Sequence, residues 1–148
     1  MQKAREAVEI ILVEDNPDDA QLSMLALEES NIVNNIVHLK DGAEALDYLF
    51  CEGQYAANAR TNNPKVILLD LKMPKVNGLE VLRRLKGDES TKKIPVVVFT
   101  SSDEDPDVKE CYKLGVNSYV VKPMNFDQFK RAINEIGLYW VVLNYPTD

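Results

Sequence analysis

Short apolar runs alternate with amphipathic stretches along the chain. The runs are rich in Val, Ile and Leu, which is typical of strands buried on both faces of a parallel sheet. They cover residues 8–13, 36–39, 66–69, 94–99 and 118–121. After each run, apolar residues recur at spacings of three and four, the period of a helix with one buried side. The pattern therefore predicts five strands, each followed by a helix.

Capping sequences mark where several of these helices begin. Asn16-Pro17 and Asp105-Pro106 each place an N-cap residue before a proline, which is favoured in the first helical turn. Asp41 and Asn125 are the N-cap residues expected before the second and the last predicted helix, and neither is followed by a proline. Because strands and helices alternate without internal repeats, we predict a doubly wound α/β fold whose parallel sheet is covered on both faces.

Polar residues follow four of the predicted strands. In doubly wound sheets the functional crevice lies outside the carboxyl ends of the strands. The residues at these ends are Glu14 and Asp15, Asp70, Thr100, and Lys122. Converging carboxylates repel one another unless a cation lies among them, and Mg²⁺ prefers oxygen ligands. We expect Asp15 and Asp70 to bind Mg²⁺ directly, with Glu14 acting through water.

The same strand ends carry groups suited to phosphoryl chemistry. Lys122 and Thr100 would contact phosphoryl oxygens, and Asp70 would be the nucleophile that forms an aspartyl phosphate. Taken singly, each residue has a structural explanation, such as a helix cap, a strand-end threonine or a solvated charge. The ordered combination at four strand ends favours the functional interpretation.

Composition narrows the class of protein. A chain of 148 residues accommodates one domain. Its 17 basic and 24 acidic residues give a net charge of -7, which disfavours nucleic-acid binding. Two cysteines without C-x-x-C spacing and a single histidine exclude the usual zinc sites. Because no apolar run approaches the length of a membrane span, we expect a cytoplasmic protein without a membrane partner.

The strand-end motifs resemble those of response-regulator receiver (CheY-like) domains of bacterial two-component signalling. The matching segments are residues 13–16 (VEDN), 69–74 (LDLKMP), 78–80 (GLE), 99–101 (FTS) and 119–123 (YVVKP). The resemblance implies a flavodoxin-like (βα)5 three-layer sandwich with strand order 2-1-3-4-5. We expect a single receiver domain over residues 1–148, with its core at about 8–138 and a C-terminal tail at about 139–148.

Carried over residue by residue, the resemblance assigns roles to the site. Asp70 would accept a phosphoryl group from a sensor histidine kinase, while Thr100 and Lys122 contact the phosphoryl oxygens. The implied Mg²⁺ ligands are Glu14, Asp15, Asp70 and the backbone carbonyl of Lys72. The protein would be a phosphoacceptor and not an enzyme, with at most slow Mg²⁺-dependent autodephosphorylation.

The resemblance also implies a conformational switch. Tyr119 would turn inward as Thr100 moves, and the face made by helix four, strand five and helix five would change its contacts. The output would be a downstream protein, a phosphotransfer partner or a second copy of the chain, without a DNA-binding element. In typical members of the family the bond corresponding to Lys122–Pro123 is cis.

A finer resemblance is to stand-alone response regulators that are partnered with phytochromes. It is carried by residues 50–64 before strand three, by the IPVVVFTSS segment and by Tyr139-Trp140 in the tail. The apolar residues 139–143 either fold back on the flank of the sheet or form a homodimer contact.

Three other functions fit less well. A Mg²⁺-dependent phosphohydrolase with an aspartyl nucleophile typically has an acid at the position of Lys72. A flavodoxin or dinucleotide-binding protein needs a phosphate cradle after strand one, where residues 14–19 are largely acidic. A degenerate receiver that works without phosphorylation would be expected to lack Asp70, Asp15 or Lys122.

Overall fold

The computed structural model describes residues 8–29, 35–55 and 63–144, and these include one five-stranded parallel sheet of order β2-β1-β3-β4-β5. The strands are β1 (Ile10–Val13), β2 (Ile36–Leu39), β3 (Val66–Leu69), β4 (Val96–Thr100) and β5 (Ser118–Val121). This order confirms the predicted flavodoxin-like topology. Strands β1 and β4 begin two residues later than predicted, and before β4 Pro95 has no N–H to donate to the ladder.

Five α-helices lie within the described ranges, one after each strand. They are α1 (Pro17–Glu29), α2 (Gly42–Leu49), α3 (Gly78–Lys86), α4 (Asp105–Leu114) and α5 (Phe126–Gly137). A 3₁₀ turn follows α2 at Gly53–Tyr55, and π-helical backbone extends α5 over Leu138–Leu143. Residues 56–62 of the long segment before β3 and residues 145–148 of the tail lie outside the described residues. None of the described helices is long and apolar enough to cross a bilayer.

Side-chain caps begin three of the helices as the sequence predicts. Asn16 Oδ1 accepts from the backbone N–H groups of Asp18 and Asp19, both at 3.0 Å. Asp41 and Asn125 accept from backbone N–H groups three residues later in the same way. The prediction for α4 is wrong by one residue. Its N-cap is Glu104, and Asp105 is the first residue of the helix.

Alternate residues of each strand pack on opposite faces of the sheet. Ile11 and Val13 lie in a cluster with apolar side chains of α2, α3 and α4, whereas Ile10 and Leu12 pack with those of α1 and α5. The fold is therefore the predicted three-layer sandwich. Trp140 is half-buried against the second cluster, which places it on the flank of the sheet.

Helix α3 begins in close contact with the backbone that follows β3. The N–H of Gly78 donates to the carbonyl of Leu71 at 2.9 Å. A Cβ atom at position 78 would lie 2.2 Å from the Asp70 carbonyl oxygen and 2.7 Å from the Leu71 Cα atom. Only glycine fits at this distance, so Gly78 lets the helix approach the end of β3.

We predict that Gly78→Ala destabilises the fold by at least about 2 kcal/mol, because backbone atoms cannot yield to the added methyl group as a flexible side chain would. Gly87→Ala is the matched control, since its Cβ would lie 3.2 Å from the nearest carbonyl oxygen. Urea unfolding measures both changes. A loss for Gly78→Ala no larger than that for Gly87→Ala would contradict the close approach.

Candidate functional site

Three carboxylates converge at the carboxyl edge of the sheet. Glu14 and Asp15 follow β1, and Asp70 follows β3, which is the neighbour of β1. One carboxylate oxygen from each residue lies within 4.8 Å of the others. Glu14 and Asp70 are buried, with 3% and 7% of their surface exposed. Parallel strands in register therefore bring together the acids that the sequence placed at two separate strand ends.

The ammonium group of Lys122 lies among these acids. Its Nζ atom is 2.5 Å from Glu14 Oε1, 2.9 Å from Asp19 Oδ2 and 3.4 Å from Asp70 Oδ2. The Lys122 side chain is only 7% exposed. Its backbone N–H donates to the Thr100 carbonyl at 2.7 Å, which holds the residue beside the end of β4. Each of the three ammonium protons can therefore face a carboxylate.

Burial and charge act in opposite directions on this cluster. Burial raises the pKa of Glu14 to about 7, the hydrogen bond from Lys122 opposes that rise, and the charge of Asp70 adds to it. Burial by itself would lower the pKa of Lys122, but its hydrogen bonds to Glu14 and Asp19 raise that pKa above the usual value. The cluster is thus a site where positive charge is strongly favoured.

The donor set fits a hard divalent cation. Glu14, Asp15 and Asp70 offer carboxylate oxygens only, the ligands that Mg²⁺ prefers, and Asp15 is less buried than the other two. Backbone N–H groups orient two of them. Asp70 Oδ1 accepts from Leu71 at 2.8 Å, and Glu14 Oε2 accepts from Asn16 at 3.1 Å. The donor set and its spacing are therefore consistent with a divalent-cation site.

Thr100 and Tyr119, the predicted switch residues, are connected through one loop residue. Thr100 is fully buried, and its hydroxyl oxygen accepts from the Ser102 N–H at 3.4 Å. The Tyr119 hydroxyl donates to the Ser102 carbonyl at 2.7 Å. The β4–α4 loop thus links the buried strand end to the ring of Tyr119 on β5.

Two contacting acids were not found by sequence reasoning. Asp19 looked like one of two acids in the first turn of a helix, yet it contacts Lys122. Asp107, an acid in the first turn of α4, accepts from the Ser102 hydroxyl at 2.7 Å and lies 3.6 Å from Lys72 Nζ. The ion pairs with Lys122 and Lys72 leave no local signal, because these lysines follow other strands.

One prediction from the family resemblance is wrong. The Lys122–Pro123 bond is trans and not cis as the resemblance implied. Trans is the form that most X–Pro bonds favour. The ammonium of Lys122 reaches the acidic cluster with the bond in this form.

Comparisons with known proteins agree with this fold. Residues 10–134 match the response regulator receiver domain. The probable methanogenesis regulatory protein FilR2 of Methanothrix harundinacea is 43% identical over 135 residues, which cover 91% of this chain and 84% of that protein.

Two solved structures are similar over nearly their full length. The phosphorylated cyanobacterial phytochrome response regulator RcpA has a TM-score of 0.88 at 38% identity, covering 97% of this chain and 100% of that chain. The Mn²⁺-bound form of response regulator Rcp1 has a TM-score of 0.86 at 35% identity, covering 95% of this chain and 99% of that chain.

The chain therefore belongs to the family of response regulator receiver domains, which are regulatory phosphoacceptors of two-component systems. Within that family it is similar to phytochrome response regulators, as the finer resemblance predicted. The family implies a histidine kinase as partner.

We predict that Lys122→Met lowers the free energy of unfolding by about 3 kcal/mol, because it leaves buried carboxylates without their counter-charge. Lys92→Met is the control, since its ion pair with Glu89 is on the surface and should contribute less than about 1 kcal/mol. Urea unfolding in EDTA measures both. Equal losses for the two variants would show that the buried ammonium does not hold the cluster together.

Proposed function

We propose that Asp70 is the phosphoacceptor of a phosphorylation-controlled signalling switch. The observation that carries the proposal is the cluster of Glu14, Asp15 and Asp70, in which the buried ammonium of Lys122 contacts Glu14 and Asp70. This arrangement holds a nucleophilic carboxylate beside one fixed positive charge and a place for a second. In the reaction, the P–N bond of a kinase phosphohistidine breaks as a P–O bond forms to Asp70.

Several side chains of the site would contact the phosphoryl group on Asp70. Lys122 supplies a positive charge to one phosphoryl oxygen, and the Thr100 hydroxyl supplies a hydrogen bond. Mg²⁺ would be held by Asp15, Asp70 and the Lys72 carbonyl, with Glu14 in support, and when bound it neutralises charge on the phosphoryl oxygens. The Mn²⁺ in the related Rcp1 structure and the phosphorylated state of RcpA support these assignments.

Loss of the phosphoryl group would be slow. Beyond its carboxylate nucleophile, a phosphohydrolase of this kind uses a second acid two residues later, and this chain has Lys72 there. In the structure the Lys72 ammonium lies 3.6 Å from Asp107, so it is held to α4. We expect hydrolysis of the acyl phosphate to proceed without a dedicated general acid. Slow hydrolysis is compatible with a signalling protein, whereas a phosphohydrolase needs rapid turnover.

The signal would leave the site through the α4–β5–α5 face. Tyr119 joins β5 to the β4–α4 loop through its bond to Ser102. Tyr112, Val121 and Phe126 are exposed apolar side chains on these elements, at 52%, 43% and 60%. A shift of the loop would change how this face contacts a downstream protein, a phosphotransfer domain or a second copy of the chain.

A phytochrome is the kinase class that we propose for this regulator. The support is the similarity to RcpA, a phytochrome response regulator, over 97% of this chain. The chain is also similar to FilR2, whose name refers to methanogenesis and not to a phytochrome. Other histidine kinases should therefore be tested as well. Phosphotransfer from a purified phytochrome kinase, compared with transfer from an unrelated histidine kinase at equal concentration, tests this choice.

Incubation with acetyl phosphate and Mg²⁺ should add one phosphoryl group, because the site supplies both the nucleophile and the charges that stabilise the product. Intact-mass spectrometry follows the adduct. Asp70→Asn should abolish it, and omission of Mg²⁺ should reduce it strongly. Asp127→Asn, an exposed change in the first turn of α5, is the matched control and should leave the adduct unchanged. An adduct that persists in Asp70→Asn would refute the assignment.

Phosphorylation should also change amide hydrogen exchange in α4 and β5 while leaving α2 unaffected, because the Ser102 link connects the site to that face. Tyr119→Phe keeps the ring but removes the hydrogen bond, so its response should be smaller. Mass spectrometry of exchanged peptides makes the measurement, and light scattering on the same samples shows whether the chain dimerises. Identical exchange with and without the phosphoryl group would argue against the switch.

A further inference from the structure

We propose that Asp19 is a positioning residue that holds the Lys122 ammonium toward α1 and so opposes its transfer to a phosphoryl group on Asp70. The inference rests on the proposed function of Asp70 and adds a residue to that site. It concerns an ion pair that the sequence did not reveal. Asp19 would set how readily the phosphorylated state forms and how long it persists.

The Asp19 carboxylate lies closer to the Lys122 ammonium than the Asp70 carboxylate does. Lys122 Nζ is 2.9 Å from Asp19 Oδ2 but 3.4 Å from Asp70 Oδ2. The contact with Glu14, at 2.5 Å, lies within the acidic cluster. Two of the three ammonium contacts are therefore shorter than the one to the reacting carboxylate.

Unlike Glu14 and Asp70, the other partners of Lys122, Asp19 lies outside the metal-compatible cluster. The metal-compatible cluster in the described residues consists of Glu14, Asp15 and Asp70. A divalent ion bound there would compete with Lys122 for Glu14 and Asp70 but would leave Asp19 available. The Asp19 pair is therefore the contact that persists when the site is loaded.

The position of Asp19 is fixed by the start of α1. Its backbone N–H donates to the Asn16 side chain at 3.0 Å, and α1 packs against α5 in the same core cluster. A carboxylate in the first turn is also favoured by the helix dipole. The lysine, on its flexible stem, is therefore the partner that must move.

Lys122 Nζ lies nearer to Asp19 than to Asp70, so a closer contact with a phosphoryl group on Asp70 would draw the ammonium away from Asp19. Phosphorylation exchanges the single negative charge of the Asp70 carboxylate for up to two on the phosphoryl oxygens, which draw Lys122 away from α1. The pair with Asp19 opposes that shift. Because the Asp19 side chain is 33% exposed, its pair with Lys122 is partly screened, and its removal should favour the phosphorylated state by a modest factor.

Beryllofluoride, which imitates a phosphoryl group on a carboxylate, is the probe. With Mg²⁺ saturating, titration followed by the fluorescence of Trp140 gives its affinity, and calorimetry provides a second readout. We expect Asp19→Asn to bind about two- to fivefold more tightly than the unmodified protein, the range that a partly screened ion pair supports. Asp19→Glu keeps the charge and should bind as the unmodified protein does.

Asp18→Asn is the matched control, because it removes the same charge from the same turn at an exposed position. Mg²⁺ affinity without beryllofluoride should fall in Asp19→Asn at least as much as in Asp18→Asn, because the released ammonium competes with the ion for Glu14 and Asp70, whereas beryllofluoride affinity should rise in Asp19→Asn alone. A purely structural role for Asp19 would not raise the affinity for beryllofluoride without also raising the affinity for Mg²⁺.

The outcomes separate the two proposals. If the unmodified protein and Asp18→Asn bind beryllofluoride and Asp19→Asn binds equally or more weakly, the role of Asp19 is refuted while the receiver site stands. If the unmodified protein binds no beryllofluoride with Mg²⁺ present, the proposed function fails, and the role of Asp19 fails with it.

Discussion

The buried ammonium of Lys122 is the interaction on which this site depends. Parallel strands carry their polar strand-end residues to one edge, so Glu14 and Asp70 are brought together by the same hydrogen bonds that build the sheet. Without a counter-charge, buried carboxylates at this distance would strongly disfavour the folded state. The ammonium makes their burial tolerable, and the excess negative charge that remains creates a place for a divalent cation.

The apolar core makes this concentration of charge possible. Every residue of β1 and β3 is buried, and their alternate side chains anchor helix layers on both faces. That packing fixes the positions of the strand ends, and loops follow them. Ser102 is such a loop residue, and it joins Thr100 to Tyr119 by hydrogen bonds instead of by apolar packing. A rigid sheet with polar loops is suited to a site whose charge changes and whose surface responds.

Family membership and molecular role rest on different parts of the molecule. The sheet and the residues at its carboxyl edge define a receiver domain, and RcpA and Rcp1 share that architecture at 38% and 35% identity. Exposed apolar side chains around β5 and at the end of α5 lie on the surface that we propose for contacts with partners. Similar folds can serve different signals, and the chemistry of a site does not by itself identify its partners.

The sequence by itself determined the strands, most helix starts and the acids and lysine of the site, because apolar periodicity and capping are local properties. It also indicated the order of the strands through the resemblance. Tertiary structure alone decided that Asp19 pairs with Lys122, that Asp107 lies beside Lys72, and that Trp140 packs on the flank of the sheet. Asp19 and Lys122 are 103 positions apart. Contacts of this kind depend on side-chain direction after the chain has folded, and no local pattern records that direction.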